Sequence, residues 1–134
     1  AGVGGQIVTL SNNASGGFIK ALGEQARGVV VTQVFPSERS VNTPVIKEAM
    51  EIAKARGTSD LTPAMVEGFV SAKVLVEALR RAGPKPDRAR LHAALESLKK
   101  LDLGGLELSY SGTDHTGLDF ADLSIIGNDG RFKR

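Results

Sequence analysis

Cysteine is absent from the 134 residues, and so is tryptophan. The first absence excludes disulfide frameworks, thiolate zinc sites and a cysteine nucleophile. It leaves the compartment open, because a domain with a sufficient core needs no covalent staple even where disulfides form. Aromatic residues make up 4%, too few for a platform on which bases stack. Charge of one sign is scarce as well: 17 basic and 15 acidic residues leave a net +2. The basic residues are scattered apart from Arg80/Arg81, Lys99/Lys100 and the tail at 131–134. That distribution argues against a nucleic-acid partner. No apolar run reaches membrane-spanning length. The opening AGVGG has neither the charged nor the apolar region of a secretion signal, so a signal, on this reading, lies outside the chain.

What is present describes an ordinary soluble domain. Hydrophobic residues are 41% and charged residues 24%, and the length suffices for one modest core. Residues 6–10 (QIVTL) read as a buried strand bounded by glycines and by Ser11-Asn12-Asn13. Ser15 caps a helix to about Ala26, with Phe18, Ile19, Leu22 and Ala26 on one face. Gly28 ends it, and residues 29–34 (VVVTQV) form a second strand, apolar enough to be covered on both faces. A strand, a crossover helix and a strand imply a parallel pair.

Residues 35–42 are polar and hold Pro36. Thr43-Pro44 then starts a helix to about Arg56, and Thr62-Pro63 starts another over about 63–82. The latter is apolar around most of its circumference and so packs on more than one side. Asp87 caps a third helix to about Lys100, with Leu91, Leu95 and Leu98 as its stripe. Strands follow at about 106–110 and 120–126, with a tight turn at Asn128-Asp129-Gly130 before Phe132, all antiparallel in character. The fold class is α/β.

Candidate chemistry is sparse. Asp114, His115, Asp119 and Asp122 lie close in sequence, and mixed His/Asp ligands can hold a metal. No helix sets their spacing, and turns collect polar residues, so a solvated turn is the preferred reading and no metal or other cofactor is expected. His92 reads as a surface or boundary residue. Gly2-x-Gly4-Gly5 precedes a strand where a phosphate loop would follow one. No Gly-x-Ser-x-Gly elbow and no Ser/His/carboxylate set is recognisable, so an enzyme is not expected.

The ordered series IVTLSNNASGGFIKALGEQARGVVVTQVFPS, PVIKEAMEIAKA, EGFVSAKVLVEALRRAG, LHAALESLKKLDLGGLELSY and ADLSIIGNDGRF resembles the C-terminal portion of type I periplasmic solute-binding proteins. The nearest group is the substrate-binding subunits of branched-chain amino-acid ABC transporters. Gly68-Phe69, Ala82-Gly83 and the final Asn-Asp-Gly-Arg-Phe carry the pattern in that order. The resemblance implies a C-terminal fragment of a two-lobed fold, less than half of a complete member. Residues 1–34 would belong to the C-terminal lobe and 35–42 to a hinge crossing. Residues 43–110 would supply helices and a strand of the N-terminal lobe, and 111–134 the return crossing and terminal strands.

The same resemblance sets Ser11, Asn12 and Asn13 on the cleft, where open α/β sheets bind ligands beyond the carboxyl ends of their strands. Ala64 and Met65 would border it, and Phe69 would be core beside the hinge. Amino-acid-binding relatives often carry an acidic residue in the first loop, whereas this loop offers two amides and a hydroxyl. The alternative for 11–13 is a plain turn with a helix cap. The implied function is periplasmic binding of a small solute, an amino acid or a related small organic acid or amide. The solute would be delivered to an ABC transporter permease. The alternative is a sensory domain of the same fold that signals to a partner protein. A fragment with so apolar a helix is also expected to self-associate or rearrange.

Overall fold

The computed structural model describes residues 4–13, 15–58 and 60–133. Gly2, from the glycine-rich start, lies outside the described residues. β1 (Val8–Thr9) and β2 (Val30–Gln33) pair in parallel, with Val8 opposite Val30. Between them run α1 (Gly16–Leu22) and a 3-10 turn over Gly23–Ala26. Ser15 starts α1 as its sequence suggests: the hydroxyl accepts from the Phe18 N–H at 3.1 Å, satisfying a donor that a helix start leaves orphaned. Ile19, Leu22 and Ala26 then pack with Val29 and Val31.

No helix or strand forms between β2 and α2 (Pro44–Ala55). α3 (Pro63–Ala82) follows, and both helices begin with proline at the first position. Thr62 caps α3 by accepting from the Met65 N–H. Thr43 instead pairs its hydroxyl with Ser40 at 2.8 Å. α4 (Arg88–Glu96) is capped by Asp87, which accepts from the Arg90 N–H at 2.8 Å.

α4 is shorter than its sequence predicts, and tertiary pairing is the reason. The Leu98 carbonyl accepts from Tyr110, and Leu98 itself is fully buried beyond the helix end. The chain then enters β3 (Leu101–Asp102), which forms a small antiparallel ladder with β4 (Glu107–Leu108). In the turn between them, the Asp102 carboxylate accepts from the N–H groups of Gly104 and Gly105. Those bonds hold its carboxyl below the usual value. Gly104, at φ 101°, lies against the start of α2, where a Cβ would approach the Val45 nitrogen to 3.1 Å.

The helices and this ladder enclose the larger cluster: Val45, Ile46, Val66, Val70, Val74, Leu98, Leu103, Leu106 and Leu108. Finally β5 (Asp122–Ile126) returns to pair antiparallel with β2, and β6 (Phe132–Lys133) closes a hairpin on β5. The sheet order is β1-β2-β5-β6.

Two burial expectations are corrected and a third is narrowed. The strand read over 6–10 as buried is only Val8–Thr9, and Ile7, Val8 and Leu10 are each more than half exposed. β2 is covered on one face, not two. Val31, Gln33, Ser124 and Ile126 are buried on the α1 side, while Leu123 and Ile125, which share the other face with Val30 and Thr32, are exposed. The described residues bring no second layer to that side. α3 packs on both α2 and α4, but its buried stripe is the single i, i+4 row Val66, Val70, Val74 and Ala78. Leu75, Val76 and Leu79 remain exposed.

Candidate functional site

Because β1 and β2 are parallel, their carboxyl ends emerge at the same edge of the sheet. The loop after β1 is a single 3-10 turn over Ser11–Asn13, tied to β2 by a bond from the Ser11 N–H to the Thr32 hydroxyl at 3.2 Å. The segment after β2 carries Val34, Phe35 and Pro36. The first turn of α3 closes the third side. Ser11, Asn12, Ser15, Gln33, Val34, Phe35, Pro36, Pro63, Ala64 and Glu67 line one small cavity there, of about 90 Å³.

Three of the five residues singled out in the sequence therefore meet: Ser11, Asn12 and Ala64. Asn13 does not line the cavity, because its amide turns back to donate to the Thr9 hydroxyl at 2.8 Å. Met65 does not either; it is half-buried one step round the helix from Ala64.

Two polar contributors escaped the sequence reading. Gln33 is almost fully buried and donates from its amide nitrogen to the Ser124 hydroxyl at 2.7 Å, which fixes its orientation at the cavity floor. It is the one long polar side chain in β2, and that anomaly was the available signal. Glu67 lies one helical turn after Pro63, so its presence follows from the i, i+4 geometry of α3 once the helix start is known. The cavity thus combines hydroxyl and amide groups, one carboxylate and an apolar wall, the mixture that orients small ligands.

The turn at 111–117 does not assemble the Asp/His set considered for a metal. The Asp114 carboxylate accepts from both the hydroxyl and the N–H of Thr116, which holds it below the usual carboxylate value. His115 Nε2 lies 3.1 Å from Glu96 Oε1 of α4. Phe69 is partly buried against the larger cluster, with Lys73 over its ring at 5.5 Å.

A family model described as periplasmic binding protein matches residues 1–121. The chain belongs to that family. Comparison with curated proteins gives no match. Among solved structures, a substrate-binding periplasmic protein from Ralstonia solanacearum is 36% identical with a TM-score of 0.80, over 95% of this chain and 37% of the other. An extracellular ligand-binding receptor from Verminephrobacter eiseniae is 29% identical, TM-score 0.80, over 96% and 37%. A possible leucine/isoleucine/valine-binding protein from Rhodopirellula baltica is 26% identical, TM-score 0.85, over 96% and 36%. The grouping is with type I periplasmic binding proteins of the branched-chain amino-acid transporter type, whose fold is two-lobed. The chain spans about 37% of the length of these relatives.

Proposed function

We propose that this chain supplies one wall of the ligand cleft in a two-lobed periplasmic protein that binds a small amino-acid-like solute for an ABC permease, without chemistry of its own. The observation that carries the reading is the convergence of Ser11, Asn12, Gln33 and Glu67 on one cavity at the strand ends. Ser11, Asn12 and Gln33 provide neutral donors suited to a carboxylate or amide. Glu67 provides the acceptor for an ammonium group that the loop at 11–13 lacks. Residues 35–42 serve as the hinge crossing, with 1–34 in the C-terminal lobe, 43–110 in the N-terminal lobe and 111–134 returning. Closure of the lobes on the solute shifts the population toward the state the permease engages. The exposed sheet face bearing Leu123 and Ile125 meets the remainder of its lobe, and an isolated chain covers it with a second copy.

Calorimetric titration of the two-lobed protein with aliphatic amino acids and their amides tests the assignment. Saturable binding is expected, with Asn12→Ala and Glu67→Gln each weakening it by about tenfold or more, equivalent to about 1.4 kcal/mol. Asn13→Ala is expected to leave it unchanged. Binding that ignores both Asn12→Ala and Glu67→Gln would remove this cavity from the cleft.

A further inference from the structure

We infer that His92, Glu96 and His115 form a binding site for a divalent transition-metal ion of the zinc class. The site is separate from the cavity at the strand ends, with which it shares no lining residue. His92 and Glu96 stand four residues apart on α4, so both side chains project from one face of the helix. His115 reaches the same point from the loop after β4. One ligand atom from each of the three residues lies within 4.8 Å of the others. The His115 Nε2 is 3.1 Å from Glu96 Oε1, and the His92 Nδ1 is 3.6 Å from Glu96 Oε2. Ligand atoms around a tetrahedral zinc ion lie about 3.3 Å apart, given metal–ligand bonds of about 2.0–2.2 Å. The two imidazole-to-carboxylate distances, each to a different oxygen of Glu96, are therefore close to that spacing.

The surroundings favour an ion over a simple ion pair. The imidazoles meet edge to face, with centroids 5.9 Å apart. Each approaches a different oxygen of one carboxylate, and a dication bound by all three groups would join them at once. Beside them is a concavity of about 270 Å³ walled by Leu95 and Tyr110. It leaves room for the water that completes a three-residue site. The loop is built to stay there. Gly112 lies close to the Glu96 carboxylate, and a Cβ on Gly117 would overlap the Tyr110 ring at 2.6 Å. Two imidazoles and one carboxylate suit zinc, nickel or copper and not the oxygen-seeking magnesium or calcium. A bound ion would tie the loop at 111–117 to α4.

Zinc titration of the intact protein by calorimetry decides the matter, with cobalt(II) absorption as a second readout of the ligand set. One ion per chain is expected, unaffected by excess magnesium, with a rise in melting temperature that a chelator reverses. Loss of an outer-shell partner alone costs about 10–100-fold in metal affinity, so His92→Ala, His115→Ala and Glu96→Gln should each cost no less. All three side chains are at the surface or half-buried, so the variants are expected to fold, and circular dichroism checks this. Asp119→Asn should bind as the unaltered chain does. Absence of saturable zinc binding would overturn the assignment. So would binding that survives both histidine substitutions, or that is lost equally in Asp119→Asn.

Discussion

The helical region and the sheet region are finished to different degrees. Nine buried residues from α2, α3, the segment after α4 and the β3–β4 hairpin make up the larger cluster, with eight partly buried side chains packed round it. The cluster between the sheet and α1 has four buried hydrophobic residues and three supporting ones, against one face of the sheet. The difference separates what this stretch of chain folds by itself from what it leaves to other packing partners. Local connections explain it. The larger cluster is sealed by short turns such as Asp102–Gly105 and by the Ser109–Gly117 bridge. The sheet depends on a strand that returns from about 90 residues downstream (Val31 to Ser124), and among the described residues it has no second layer.

The sharpest way to break this comparison is to make one substitution in both cores. Ile46 is 0% exposed and Ile126 1%, so their burial is the same and only the surroundings differ. Ile46→Ala should cost about 4–5 kcal/mol, because neighbours on three helices cannot collapse into the void. Ile126→Ala should cost about 2–3 kcal/mol, because a thin cluster on one face of the sheet relaxes more readily. Urea denaturation measures both. Equal costs would mean that the sheet is as well supported as the helices, and the contrast would fail.

A smaller effect probes how the helical region is sealed. Gly117 has φ 75° and lies against the Tyr110 ring, and Tyr110 and Leu118 both pack on the larger cluster. Gly117→Ala combines a disfavoured backbone conformation with overpacking and should cost about 1–3 kcal/mol by thermal denaturation. The sheet should be unaffected, with slow amide exchange retained at Val31 and Ile126. Loss of protection there as well would show that the two regions open together.

Helix starts were legible because their signals are local: Ser15, Thr62 and Asp87 cap the helices they precede, and Pro44 opens α2 at its first position. Burial was less legible. Apolarity shows what a side chain can tolerate, while coverage depends on which elements are present, so QIVTL reads as core and is exposed here. The cavity at the strand ends was half legible. Ser11 and Asn12 follow a strand end and can be placed by rule. Gln33 and Glu67 needed the strand register and the start of α3. The pairing of His92 and Glu96 with His115 crosses a turn and two strands that no spacing reveals.

The mildest substitution tests the exposed face itself. Leu123 is 58% exposed and shares its face with Val30, Thr32 and Ile125. In the isolated chain, Leu123→Lys removes little buried area, so its cost to monomer stability should stay within about 0.5 kcal/mol. Its effect on association should be plain: a lysine in the middle of an apolar patch opposes the approach of a second copy. Sedimentation is expected to show a self-associating parent and a monomeric variant. In the two-lobed protein the same lysine would be buried against the rest of its lobe, where an unpaired charge is expensive, and the loss of stability should become several-fold larger. If Leu123→Lys is equally harmless in both settings, nothing covers this face, and the unequal finish of the two regions belongs to the protein itself.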